Sequence, residues 1–165
     1  MINWEAIGAI GEVAGAIGVI VTLIYLAIQI RHNTRSSRLA SFQSTTEMLT
    51  TVNTLIAGND EIAEIFSRIY NEPDVELTPK ERIKFTFTNL CLFRAWETAY
   101  FQRSEGMALQ QSWLRYEQSI CAQIAVPRVK EWWLNNTFGF TKEFRDYVQS
   151  IIEEQEGRDR ELDLG

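Results

Sequence analysis

The side chains that most often carry out chemistry are scarce in this chain and are not grouped. Its 165 residues include one histidine, His32, and two cysteines, Cys91 and Cys121, which stand far apart in the sequence. A zinc site needs several Cys or His ligands at short spacing, and a nucleophilic cysteine needs a basic partner. The sequence contains neither a phosphate-binding glycine loop after a strand nor a G-x-S-x-G segment. We therefore predict that the protein is not an enzyme and that it binds no metal ion or cofactor.

Arg94 and Glu97 form the candidate polar pocket of the chain. They are three residues apart, a spacing that places both side chains on one face of a helix. Two interpretations are open: a polar pocket that binds an acid or a partner, or an ion pair that satisfies itself inside a helical core. We favour the ion pair. We also expect Cys91 and Cys121 to be buried free thiols, because a reducing cytoplasm does not maintain disulfides.

Length, composition and charge narrow the classes of function further. The chain is about as long as one domain. Its residues are 45% hydrophobic and 23% charged, as in globular proteins rather than in disordered or fibrous ones. The formal net charge of -6 leaves no broad basic surface that could follow a phosphate backbone. We therefore exclude nucleic acid as a partner.

The apolar residues are concentrated near the N-terminus. From Ile7 to Ile28 the chain has eleven Ile, Leu or Val residues, four Ala and four Gly, and only Glu12, Thr22 and Tyr25 carry polar atoms. This stretch is long enough to cross a bilayer as a helix. It lacks the basic start and the small-residue cleavage site of a signal peptide. A buried core helix of a soluble protein is the remaining alternative to a transmembrane helix.

The positive charges that follow this stretch predict its orientation. Arg31, Arg35 and Arg38 come after it, and no acidic residue stands between Ile28 and Glu47. Because Lys and Arg are enriched in cytoplasmic loops, we expect an outside N-terminus, a cytoplasmic C-terminal part, and these arginines at the lipid headgroups. The predicted organisation is a transmembrane helix over 1–30, a juxtamembrane helical extension over 31–57, a helical cytosolic domain over 58–155 and a frayed acidic tail over 156–165.

Small residues recur along one side of the predicted transmembrane helix. Gly8, Gly11, Gly15 and Gly18 are spaced by three, four and three residues, and Thr22 continues the pattern. We call these five residues the glycine seam. In a bilayer, small residues let two helices approach closely and pack by van der Waals contact. The seam predicts self-association or, as an alternative, packing against another membrane protein.

Glu12 is the candidate polar site within the membrane, next to the seam. An ionisable group in a membrane helix is disfavoured unless it is paired, hydrated or protonated. One interpretation is a ring of Glu12 carboxylates around a pore that selects cations. The other is a carboxyl group that reaches water at the interface, or that is protonated and bonded to a neighbouring helix. We favour the second interpretation.

Caps and apolar periodicity predict an all-α fold, with the transmembrane helix packed with a small helical bundle. No Gly or Pro interrupts the chain between Gly18 and Gly58, so the first helix is expected to continue to about Ala57. Later helices are expected at about 60–70, 79–105, 110–125 and 141–154, with a shorter one that begins at Pro127. Asn59 is expected to cap the first of these, Thr78 and Glu81 to form a capping box at the second, and Thr141 to cap the last. The helix over 79–105 is apolar nearly all round and should be the centre of the domain.

Two groups of motifs resemble a known family. The first is the opening: Ala6-Ile7-Gly8-Ala9-Ile10-Gly11-Glu12, Gly15-Ala16, LIYLAIQIR at 23–31 and Asn33-Thr34-Arg35. The second comprises FRAWE at 93–97, Ala99-Tyr100, EWW at 131–133 and Phe144. Over most of the chain they resemble a family of uncharacterised bacterial single-span membrane proteins. The resemblance implies a bacterial inner-membrane protein with a helical cytosolic part and implies no activity. One departure is Leu109-Gln110-Gln111, where such proteins often have an acidic helix start.

Three hypotheses about function follow. The first is a non-catalytic, homo-oligomeric inner-membrane protein that acts as a scaffold or accessory subunit. The second is a small homo-oligomeric ion channel with Glu12 lining the pore. The third is a membrane-tethered binding module that holds a small ligand near Arg94 and Glu97.

Overall fold

The computed structural model describes residues 4–72, 74–106 and 110–162, and in these residues all regular secondary structure is helical. The predicted all-α fold is confirmed. The chain forms two compact units, Met1–Ala40, called unit 1 below, and Ser41–Gly165, called unit 2. The helices are α1 Trp4–Ala57, α2 Asp60–Asn71, α3 Pro79–Ser104, α4 Gln110–Ile124, α5 Pro127–Asn136, a short 3-10 turn Thr137–Gly139, and α6 Lys142–Leu162.

Local side-chain caps fix two of the helix starts. Asn59 Oδ1 accepts a hydrogen bond from the backbone N–H of Ile62 at 3.1 Å and caps α2. At α3, the Thr78 hydroxyl accepts from the Glu81 N–H while Glu81 Oε2 accepts from the Thr78 N–H. This is the reciprocal capping box predicted from the sequence. The hydrogen bonds from Thr78, and then the Arg68 guanidinium, hold the pKa of Glu81 below its ordinary value.

The C-terminal part of α1 contributes to the core of unit 2. Val52 is 6% exposed and belongs to the hydrophobic core. Thr45 is fully buried, and its hydroxyl donates a hydrogen bond to Gln102 Oε1 on α3 at 2.9 Å. A buried hydroxyl needs such a partner. The Ser/Thr-rich end of α1 is therefore fixed to the bundle by an apolar contact and a polar one.

Phe93 on α3 is the centre of the core. Its side chain has no exposed area. Its ring centroid lies 4.8 Å from Trp133, 5.1 Å from Trp96, 5.4 Å from Trp132 and 6.3 Å from Phe140. These separations are in the range where aromatic pairs attract beyond their buried area. Phe93 therefore joins α3 to α5 and to the segment that leads into α6.

A second aromatic cluster lies further along α3. Tyr100 lies 6.0 Å from Trp113, 5.7 Å from Phe144 and 5.1 Å from Tyr147, measured between ring centroids. The Tyr147 hydroxyl donates to Glu117 Oε1 at 2.7 Å. Burial, and then this hydrogen bond, raise the pKa of Tyr147 above its ordinary value. The neutral phenol thus joins α4 to α6.

Helix α3 packs against both α2 and α4, but it is not covered all round. Ile83 and Phe87 are 59% and 61% exposed, and Cys91 is exposed as well. These three residues follow each other at four-residue spacing, so they form one stripe on the helix. The expectation that both cysteines are buried is therefore wrong for Cys91. Cys121 is partly buried, and both thiols are free.

Helix α6 continues past its predicted end at Glu154 to Leu162. Contacts with other helices hold this segment. Glu156 pairs with Lys130 on α5 at 2.5 Å, and Gln155 Nε2 donates to a backbone carbonyl of α4 at 2.8 Å. The predicted frayed tail over 156–165 is therefore helical up to Leu162, and 163–165 lie outside the described residues.

Two phenylalanines of α3 test whether the core is centred on Phe93. Phe93→Ala should lower the free energy of unfolding by about 3–5 kcal/mol, because it leaves a cavity among four aromatic rings. Phe87→Ala, the same change on the exposed side of the helix, should change it by no more than about 0.5 kcal/mol. Denaturant unfolding in mild detergent, followed by tryptophan fluorescence, measures both. Equal effects would contradict the assignment.

Candidate functional site

The most unusual surface of the described chain is the apolar side of α1 in unit 1. Every large apolar side chain described from Ile17 to Ile30 is between 45% and 65% exposed. The helix within Gly15–Ala57 is long and apolar enough to cross a membrane, as judged by length and composition, with a mean hydropathy of 1.6 and 0% of its most apolar stretch buried. A contiguous exposed apolar surface of this kind marks a site of interaction in soluble and membrane proteins.

The glycine seam lies open along this helix. A methyl group built on Gly8, Gly11, Gly15 or Gly18 would meet no atom within 4 Å outside the local helix backbone. The Thr22 hydroxyl donates to the Gly18 carbonyl at 2.8 Å, so its donor is satisfied within its own helix. Space therefore remains along the seam for the backbone of a second helix.

The other residues predicted for the membrane region are also at the surface. The Glu12 side chain is exposed, as are Arg31, Arg35 and Arg38. The three arginines follow one another at spacings of four and three residues, which puts them on one side of a helix. They form a basic stripe that begins immediately after the exposed apolar segment.

Arg94 and Glu97 come together in unit 2 as an ion pair. Arg94 Nη1 lies 2.8 Å from Glu97 Oε2, and the side chain of Glu97 is 8% exposed against 49% for Arg94. The guanidinium carbon of Arg94 lies 5.0 Å from the centre of the Phe140 ring. Arg94 therefore interacts with both the carboxylate and the aromatic core beside it.

The sequence did not indicate the third member of this group, Thr141. Glu97 Oε1 accepts one hydrogen bond from the Thr141 N–H at 2.8 Å and one from its hydroxyl at 2.9 Å. Thr141 was expected only as the cap of the last helix, since local sequence cannot show a partner 44 residues away. Both oxygens of the Glu97 carboxylate are thus engaged, and the group connects α3 to the start of α6.

Metal binding and thiol chemistry have little support among the described residues. Within 4–72, 74–106 and 110–162, no three His, Cys, Asp or Glu side chains lie together in a way that could hold a metal ion. Burial raises the pKa of the Cys121 thiol, and the nearby Glu117 raises it further. A thiol in this environment is less ionised and so a weaker nucleophile.

Comparisons with protein-family models, with curated proteins and with solved structures found no match to this chain. The resemblance to bacterial single-span proteins therefore stays a prediction from its motifs.

Substitution of two glutamates tests how much the group formed by Arg94, Glu97 and Thr141 contributes to the free energy of unfolding. Glu97→Ala removes a buried carboxylate and leaves the Thr141 N–H without its acceptor, so it should lower the free energy of unfolding by about 2–3 kcal/mol. Glu131→Ala is the matched control. Glu131 pairs with Arg128 at the same spacing and the same 2.8 Å, but it is 60% exposed. Its removal should cost about 1 kcal/mol or less. Chemical denaturation compares them, and a Glu97→Ala effect no larger than the control would contradict the assignment.

Proposed function

We propose that this protein is a non-catalytic bacterial inner-membrane protein that self-associates through its glycine seam and presents a helical cytosolic domain as a scaffold or accessory subunit. The observation that carries the proposal is the exposure of every large apolar side chain described from Ile17 to Ile30. Those side chains are stable only where an apolar medium or another helix covers them.

The energetics of insertion support a bilayer as that medium. Each branched aliphatic residue favours insertion by roughly 0.3–0.6 kcal/mol, so the eleven between Ile7 and Ile28 contribute on the order of 5 kcal/mol. A carboxylate at the centre of the membrane costs about 3 kcal/mol at most on the same scale. Glu12 stands towards the N-terminal end of the stretch, so the balance favours insertion.

The alternative of a soluble protein with an apolar core helix requires the chain to cover that helix. None of the most apolar part of the helix is buried in the chain, and the core of unit 2 is built from its own aromatic and aliphatic residues. The exposed basic stripe of Arg31, Arg35 and Arg38 favours a cytoplasmic location for the following residues.

The seam supports association between copies. Lipid tails are as apolar as Leu side chains, so helices in a bilayer associate through close packing rather than through burial of apolar area. The open edge of Gly8, Gly11, Gly15 and Gly18 permits such packing. A second copy of the chain is the simplest partner, because no other described helix is apolar enough to cross a membrane.

Fractionation tests the membrane assignment. The full chain should remain in the membrane pellet after washing with high salt and with carbonate at high pH, because its attachment is apolar. A variant that lacks residues 1–40, and so retains unit 2, should appear in the soluble fraction with helical circular dichroism. A full chain that is soluble without detergent would contradict the proposal.

A single substitution in the seam tests self-association. Gly15→Ile adds a branched side chain where two helix backbones would meet, so it should reduce the mass of the particle in mild detergent to that of one chain. The matched control is Ala16→Ile, at the neighbouring residue, whose side chain points to another side of the helix. Light scattering coupled to size exclusion measures the mass.

Three outcomes of this comparison are informative. A change for Gly15→Ile and none for Ala16→Ile supports the seam. An unchanged mass for both variants, or a wild-type particle of one chain, would contradict homotypic packing. A ring of more than two chains would instead favour the ion-channel hypothesis, since a dimer encloses no lumen.

A further inference from the structure

The polar residues and glycines in one stretch of α1 all fall on the side of the glycine seam. Between Val13 and Ile30 the residues other than Ala, Val, Ile and Leu are Gly15, Gly18, Thr22, Tyr25 and Gln29. They are spaced alternately by three and four residues, in the same register as Gly8 and Gly11. We call these seven residues the extended seam. In membrane helices, small and polar residues mark the side that meets another helix.

Tyr25 and Gln29 bring hydrogen-bonding groups to the extended seam. Tyr25 is 63% exposed, and Gln29 is exposed as well. Neither side chain forms a hydrogen bond within the part of the chain that the structure describes, whereas the Thr22 hydroxyl donates to the Gly18 carbonyl. A primary amide has two N–H donors and one carbonyl acceptor, and leaving them unpaired beside lipid tails is unfavourable. The Gln29 amide therefore favours a neighbour that offers a donor and an acceptor at the same level.

A second copy of the chain meets this requirement without a conflict of charge. Two Gln29 amides on facing helices can donate to each other reciprocally. Because an α-helix turns by about 100° per residue, Arg31, Arg35 and Arg38 lie at least about 120° around the helix from Gln29. Two copies that meet along the extended seam thus keep these cations apart, and like charges brought together would oppose association.

The length of the extended seam distinguishes between two ways of packing. Helices that meet only at a short motif such as Gly11 and Gly15 cross at about -40°. By Gln29, roughly 24 Å along the helix from that crossing, their axes would be more than about 15 Å apart. Packing with a period of about 3.5 residues keeps one side in contact along a left-handed supercoil. The positions of Tyr25 and Gln29 therefore favour the left-handed arrangement.

We propose that two copies of the chain pair in parallel and in register along the extended seam, as a left-handed pair of helices. The Gln29 amides form hydrogen bonds across the pair and set its register, with the Tyr25 hydroxyls beside them. This pairing rests on the self-association proposed above and adds its partner residues and its geometry.

Disulfide scanning in the membrane tests the arrangement. In the full-length protein with Cys91→Ser and Cys121→Ala, one cysteine at a time replaces each residue from 15 to 30, and the membranes are oxidised. We expect cross-linked dimer to be most abundant for Thr22→Cys, Tyr25→Cys and Gln29→Cys. It should be least abundant for the matched controls on the opposite side of the helix, which are Ile20→Cys, Ile24→Cys and Ala27→Cys.

Two other patterns would overturn the arrangement. Cross-links at Gly15→Cys and Gly18→Cys without any at Gln29→Cys would indicate a right-handed crossing. Cross-links that peak at the control positions would indicate another side of the helix. A wild-type particle of one chain would instead contradict the proposed self-association itself, whereas a particle of two chains with either of these patterns rejects only the extended seam.

Variants of Gln29 test its role in the pair. Gln29→Leu should weaken the dimer about tenfold in mild detergent, because it removes the hydrogen bonds between the helices, and Gln29→Asn should weaken it less. The matched control combines Gln29→Leu with Ile28→Gln, which keeps one amide but moves it about 100° around the helix. It should be as weak as Gln29→Leu. Sedimentation at a series of protein concentrations measures the dissociation constant. An unchanged constant for Gln29→Leu, or full recovery in the control, would overturn the role of Gln29.

Discussion

An apolar helix that its own chain leaves uncovered is the constraint on which the biology of this protein depends. Between Ile17 and Ile30 the large side chains are about half exposed, and each square ångström of such surface costs about 25 cal/mol in water. None of the most apolar part of this helix is buried within the chain, and the core of unit 2 is built from its own residues. The proposed cover comes from outside the chain: a bilayer for the aliphatic side chains, and a second helix for the glycine seam, where lipid chains pack poorly against bare backbone.

Unit 2 consists of several helices that must be held together by contacts between them. Helices α2, α4 and α5 have between ten and fifteen residues, and isolated helices of this length are marginal in water. Aromatic side chains provide the stability. Phe93 and Tyr100, two turns apart on α3, each contact rings from other helices. The Glu97 carboxylate lies between them in the sequence and fixes the start of α6 through Thr141. One helix thus supplies both the apolar and the polar contacts that hold the bundle.

The sequence predicted those features that depend on neighbouring residues. The capping box of Thr78 and Glu81, the Asn59 cap and the end of α1 at Ala57 are confirmed, because each depends on residues a few positions apart. Features that depend on distant residues were missed. The last turns of α6 are held by an ion pair between Glu156 and Lys130 on α5, and Glu97 on α3 bonds to Thr141 at the start of α6. Phe87 is exposed because neither α2 nor α4, the helices that pack against α3, covers it. The spacing of apolar residues predicts which of them share a helix face, but it does not show whether another helix packs over that face.

The glycine seam differs from the polar contacts of unit 2, because open space remains beside its backbone. The sequence left a ligand pocket and an internal ion pair open for Arg94 and Glu97 and favoured the ion pair. In the structure the two side chains form an ion pair, and both carboxylate oxygens of Glu97 have donors. Satisfied polar groups need no ligand, whereas open space beside an exposed helix backbone allows another helix to pack there. In a chain without catalytic motifs, function is therefore best sought where the fold leaves a surface without a packing partner, as it does along the glycine seam.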